Sequence, residues 1–222
     1  MAKMEIRMRT MIFSGGQIEL PFAKAYMEKV KPEYVIAADS GMEICKALGI
    51  IPDCIVGDFD SVSKEVLAYY HTKPQILWKQ FRPEKDETDT ELALRTSFEH
   101  GATEIHLLGA TGSRLDHVLA NIQLLQKALI RGIPAYMVDA NNRISLIDEK
   151  RVLEKKKQYG KYVSLLPLTT TVEKITLTGF KYPLDHATLH SDDSLGVSNE
   201  ITEDTAVIEF EEGIAILIES RD

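Results

Sequence analysis

Short apolar runs alternate with helix-like stretches through the first 140 residues. Strand-like runs at 9–14, 34–38, 54–56, 75–78, 104–108 and 135–139 are separated by helical patterns at 22–30, 42–48, 64–71, 90–100 and 115–131. That alternation predicts an α/β sheet whose strands are joined by helices. Gly101 and Gly132 stand where helix C-caps are expected. Beyond Asn141-Asn142 the pattern changes to short strand-like runs at 143–147, 162–166, 174–178, 206–211 and 214–219, with many Thr and few helix signals. This predicts a separate all-β unit, with Glu212-Gly213 as the turn of a terminal hairpin. The expected division is therefore an α/β domain over 1–140 and an all-β sandwich domain over 141–222. A sandwich of about 80 residues is thin and gains from packing on a neighbour, so a dimer is expected. The run Lys155-Lys156-Lys157 reads as a solvated turn between strands.

Composition narrows the classes open to such a chain. With 222 residues and 44% hydrophobic content, it can bury a substantial core. A formal charge of −8 argues against a general nucleic-acid binder, which needs a basic stripe to displace counterions. An anionic ligand must instead meet a local positive charge or a bound cation. Cys45 and Cys54 have no metal-type spacing with the six histidines, and no charged-then-apolar leader precedes the first strand. The expectation is a protein of the reducing cytoplasm. No apolar run approaches the roughly 20 residues that cross a bilayer as a helix, so no membrane association is expected.

The chemistry is concentrated where strands give way to helices. Ligands of α/β sheets gather at the carboxyl ends of strands, and five loops fall there: Ser14-Gly15-Gly16, Asp39-Ser40-Gly41, Gly57-Asp58-Phe59-Asp60-Ser61, the cluster Asp86-Glu87-Thr88-Asp89-Thr90-Glu91, and Gly109 to Arg114. Crowded carboxylates raise one another's pKa unless a cation neutralises them. Mg²⁺ takes oxygen ligands, commonly one or two carboxylates together with substrate phosphates. Asp58 and Asp60 suit that role, the alternative being a turn with Asx hydrogen bonds. Asp39 reads equally as a helix cap or a ligand. Asp86 and Asp89 read in part as acidic residues favoured at a helix N-terminus, and at i,i+3 they would share a face. Arg114 offers forked, permanently charged donors for phosphate. Ser113 and Asp116 fit a capping pair, and His117 reads as a helix residue rather than a catalytic base.

Together, Asp39-Ser40-Gly41, Gly57-Asp58-Phe59-Asp60-Ser61, the Lys85 to Glu91 segment, Gly109 to His117 and Ser198-Asn199-Glu200 resemble the thiamine pyrophosphokinase family over nearly the whole chain. The resemblance implies an N-terminal Rossmann-like α/β domain, a C-terminal β-sandwich, and a homodimer binding thiamine between subunits. It implies transfer of diphosphate from ATP to the thiamine hydroxyl with Mg²⁺, releasing AMP. Carried over, Asp58, Asp60 and Asp89 hold Mg²⁺ and orient the reacting phosphates. Asp39, Asp86, Arg114, Asp116 and His117 line the nucleotide and metal side, and Ser198 and Asn199 bind the aminopyrimidine. Asp60 and Asp89 remain alternatives for accepting the hydroxyl proton. Two departures stand out. Ile201-Thr202-Glu203 follows the Ser-Asn pair where some members place an aromatic ring, and Lys85 stands where some carry Gln. The acidic clusters address ATP and Mg²⁺ rather than the acceptor. A diphosphokinase for another hydroxymethyl compound, such as a pterin, and a non-catalytic Mg-nucleotide sensor are therefore the competing readings.

Overall fold

The computed structural model describes residues 7–82 and 86–222. It is a mixed α/β structure with large sheets, in two compact units. One unit comprises Leu125–Arg131 and Asn141–Asp222, and the other comprises the remaining described residues.

The first unit contains strands β1 (Arg9–Phe13), β2 (Tyr34–Ala38), β3 (Cys54–Gly57), β4 (Leu77–Gln80), β5 (Glu104–Leu108) and β6 (Ala135–Val138). They lie in the order β6-β5-β1-β2-β3-β4, and every neighbouring pair among them is parallel. The inner strands are buried almost end to end, as expected when helices cover both faces of a parallel sheet. The connecting helices are α1 (Leu20–Val30), α2 (Gly41–Ala47), α3 (Lys64–His71), α4 (Asp89–Glu99) and α5 (Leu115–Leu124). Helix α1 starts two residues before its expected position because Pro21 fits a first helical turn, where no amide hydrogen is needed. Gly101 and Gly132 both follow their helices with positive φ, as their expected C-cap role requires. The expected helix over 115–131 is interrupted at Leu125, after which α6 (Gln126–Leu129) packs with the second unit.

From β1 the chain runs in one direction across the sheet to β4, then returns to the other side of β1 to form β5 and β6. The order reverses between β1 and β5. A crevice opens at the carboxyl ends of strands at such a reversal.

The second unit holds two antiparallel sheets. In one, β7 (Asn142–Ile147), β14 (Ala215–Ser220), β9 (Tyr162–Pro167) and β12 (Asn199–Glu200) are neighbours in that order. The other has the order β11 (Leu184–His190), β10 (Thr171–Thr178), β13 (Thr205–Glu209), β8 (Arg151–Glu154). Ile147, Val163, Leu165 and Leu217 from the first of these sheets share a core with Val172, Ile175, Leu189 and Ile208 from the second. The expected terminal hairpin is absent. Strands β13 and β14 belong to different sheets, because Glu212 bridges back to Glu173 and Gly213 (φ 106) carries the chain across to β7 and β9. Lys155–Lys157 forms an exposed turn of 3-10 helix, with Lys156 and Lys157 paired to Glu154.

Candidate active site

The crevice at the β1/β5 reversal is a cleft of about 570 Å³. Its walls come from the β1, β2, β3 and β5 loops and the start of α4. Backbone contacts fix these loops against one another. Ser14 N–H donates to Leu108 O (2.8 Å) and Gly16 N–H to Gly109 O (2.8 Å), joining the β1 and β5 loops. A Cβ at Gly16 would fall 2.3 Å from Gly109 O and 2.4 Å from Thr111 O, so only glycine allows this approach. The β5 loop is held from below by Asn121, a buried residue of α5 whose Nδ2 donates to Ala110 O at 2.8 Å.

The carboxylates arrive from three elements. Asp39 follows β2 in a left-handed conformation (φ 48), with its N–H donated to Val56 O at 2.8 Å. Its Oδ2 accepts from Ser61 Oγ, while its Oδ1 is buried with no hydrogen-bond partner among the described residues. Asp58 follows β3, and its Oδ1 accepts the Asp60 N–H at 3.2 Å, the Asx turn that stood as the alternative reading of this loop. Phe59, also left-handed (φ 71), sets its ring edge-on to Trp78, 5.4 Å between centroids. Asp89 opens α4, capped by Thr88, whose Oγ1 accepts the Glu91 N–H at 3.2 Å. Left-handed backbone at non-glycine residues is costly, and such strain concentrates at functional sites.

Asp39, Asp58, Asp89, Arg114 and His117 all line the cleft. Asp60, Asp86 and Asp116 do not line it, and all three are exposed. Because α4 begins at Asp89, Asp86 precedes the helix, and the two do not share a helical face as their spacing had suggested. Arg114 precedes α5 and pairs with Asp116 through Nε–Oδ1 (3.2 Å) and Nη2–Oδ2 (2.5 Å), so Asp116 is engaged with Arg114. That hydrogen-bonded guanidinium holds the Asp116 carboxyl below its ordinary range. Ser198 and Asn199 lie in the second unit. Ser198 is exposed and left-handed (φ 59), with its N–H donated to Ser164 Oγ at 2.9 Å. Asn199 is buried, and its amide binds both backbone groups of Tyr182, at 3.0 and 2.8 Å. Lys85 lies outside the described residues. Gln17, Glu87, Thr90, Val118 and Asn121 also line the cleft. Glu87 and Thr90 belong to the acidic cluster singled out in the sequence, whereas Gln17 and Val118 carried no signal there, and a polar Asn inside the apolar Leu119–Ile122 run of α5 was a signal for Asn121.

The donor set suits a hard cation. Asp39, one of whose carboxylate oxygens is buried with no hydrogen-bond partner among the described residues, lines a cleft that also carries Asp58 and Asp89. Among the described residues no three ligating side chains are gathered as a ready-made metal cage.

A parallel sheet with a carboxylate- and glycine-lined cleft at its reversal point marks an α/β protein whose cleft lies where the ligands of such sheets gather. Family models describing the thiamin pyrophosphokinase catalytic domain and vitamin B1 binding domain match residues 26–137 and 150–215. The chain belongs to the thiamine pyrophosphokinase family. It is 34% identical to the thiamine pyrophosphokinase of Bacillus subtilis over 84% of this chain and 87% of that protein. The solved Bacillus subtilis structure superposes with a TM-score of 0.85 at 32% identity, covering 96% of this chain and 99% of that one. The thiamin pyrophosphokinase from Geobacillus thermodenitrificans gives a TM-score of 0.83 at 32% identity over 97% and 98% of the two chains. That of Candida albicans shares the fold, with a TM-score of 0.80 at 19% identity over 96% of this chain and 89% of that chain.

Proposed function

We propose that this protein transfers the diphosphate of ATP to the hydroxyl of thiamine, giving thiamine diphosphate and AMP. The observation that carries the reading is the meeting of Asp39, Asp58 and Asp89 with Arg114 and two glycine-rich loops in one cleft. Family membership supplies the acceptor. When bound, Mg²⁺ neutralises phosphate charge and polarises the reacting phosphorus. Asp39, Asp58 and Asp89 are the oxygen ligands best placed for it, and exposed Asp60 serves from the edge of the cleft. Arg114 presents forked donors to phosphate oxygens. Its exposed pairing with Asp116 is worth little in water, so exchanging that carboxylate for a phosphate costs little. The thiamine oxygen attacks the β-phosphorus, the bond to the bridging oxygen of AMP breaks, and Asp89 takes the hydroxyl proton. Positioning and charge stabilisation provide most of the rate.

In this reading the first unit is a Rossmann-like catalytic domain, residues 1–140, and the second a β-sandwich over 141–222 that binds thiamine and supports dimerisation. The shared core of the two antiparallel sheets supports the sandwich assignment. Ser198 offers the exposed contact to the aminopyrimidine, and buried Asn199 holds the Tyr182 backbone in place. The homodimer is supported by Leu115 and Leu119, one turn apart on α5 beside the cleft and 71% and 62% exposed.

The test is formation of AMP and thiamine diphosphate from ATP, Mg²⁺ and thiamine, with hydroxymethylpterin as a second acceptor. Wild-type protein is expected to form both products with thiamine alone, and Asp58→Asn to lose about 100-fold or more in turnover with an unchanged melting temperature. Product with the pterin would reassign the acceptor, and nucleotide binding without AMP release would reduce the protein to a sensor.

A further inference from the structure

At the base of the cleft two buried hydroxyls face each other. Ser14 Oγ and Thr90 Oγ1 lie 2.5 Å apart, join residues 76 positions distant, and are 5% and 7% exposed. Ser14 follows β1 at the sheet reversal, and Thr90 sits in the first turn of α4 beside Asp89. Both residues line the cleft. Among the described residues each hydroxyl has the other as its only hydrogen-bond partner. The hydrogen count is then decisive. Two hydroxyls carry two hydrogens, and one O–H···O contact uses one of them. The second hydrogen has no acceptor among the described protein groups, and both residues line the cleft.

We infer that the Ser14–Thr90 pair is a phosphate-binding element, donating its spare hydroxyl hydrogen to an oxygen of the nucleotide's polyphosphate. The pair is suited to an anion. The hydroxyl that donates to its neighbour leaves that neighbour polarised to donate onward, and hydrogen bonds in series strengthen one another. Acceptance by a charged oxygen makes the onward bond stronger than one to a neutral group. The pair also ties the glycine-rich β1 loop to the helix that carries Asp89, so phosphate and carboxylate would be placed by one contact. This inference rests on the nucleotide-binding reading given above.

The test separates binding from stability. Removing one hydroxyl, by Ser14→Ala or Thr90→Val, strands its buried partner and should lower the melting temperature by about 3–10 °C. The double variant Ser14→Ala/Thr90→Val replaces both with apolar groups of similar shape, and its melting temperature should return close to wild type. Affinity for a non-hydrolysable Mg-ATP analogue, measured by calorimetry, should nonetheless stay about 10- to 100-fold weaker than wild type in the double variant. Thr90→Ser, which keeps the hydroxyl, should bind within about three-fold of wild type. KM for ATP should rise in the double variant while KM for thiamine stays unchanged. A double variant that regains nucleotide affinity together with stability would overturn the inference and leave the pair as packing. Wild-type protein that binds no Mg-nucleotide would overturn the functional reading, and the inference with it.

Discussion

Glu33 and Arg9 show what one ion pair contributes at the foot of the sheet. Arg9 donates its N–H (2.8 Å), Nε (3.1 Å) and Nη2 (2.5 Å) to the Glu33 carboxylate, tying β1 to the turn before β2. These bonds hold the Glu33 carboxyl down to about 2. A lowered carboxylate pKa stabilises the folded state fully above the ordinary value near 4.5, and the benefit is lost as pH falls towards 2. Glu33 is 38% exposed, so solvent screening limits the contribution to about 1 kcal/mol. Urea unfolding of Glu33→Gln should show that deficit at pH 7 and converge with wild type only as pH falls to about 2. At this scale, the acidic site residues were readable because clustered carboxylates demand an explanation. Ser14 and Thr90 were not, since hydroxyls 76 residues apart leave no local pattern. The amide of Asn199 binds the backbone of Tyr182, a partner 17 residues away that no local pattern announces.

Helix α2 demonstrates how closely an element can approach the strand it follows. A Cβ at Gly41 would stand 2.0 Å from Phe13 O, a backbone atom that cannot step aside. Gly41→Ala is therefore expected to destabilise the first unit by about 1–3 kcal/mol, read from the urea midpoint, and to lower activity by displacing neighbouring Asp39. The strands of this unit were legible because burial on both faces makes them continuous apolar runs. Strand β4, at the sheet edge, is the exception. It lies at Leu77–Gln80, two residues later than expected, and its end residues are exposed. In the second unit β8 and β11 escaped notice, and both are edge strands. Edges carry charged and polar side chains that discourage pairing with other molecules, which erases the alternation a sequence reading depends on. The expected hairpin at Glu212-Gly213 failed for a related reason. A turn signal marks a change of direction but does not say whether the next strand stays in the same sheet.

For the whole molecule, composition and periodicity foretold the change from α/β to all-β texture near residue 140, and the contacts place α6 with the second unit as well. Light scattering checks the proposed homodimer: wild type should scatter as a dimer, and Leu119→Lys, on an exposed helix position, should shift the population towards monomer while far-UV circular dichroism is unchanged. No helix among the described residues is long and apolar enough to cross a membrane. The placement of β14 has a consequence for synthesis. It lies between β7 and β9 and pairs with both along its length, yet it follows both in the chain. During translation β7 and β9 leave the ribosome well before the strand that joins them, each with an unpaired edge. The sheet closes only when Ala215–Ser220 has emerged. Until then the nascent second unit exposes two strand edges that other chains can pair with. The interval before β14 joins them is thus the one in which the second unit most needs protection by a chaperone.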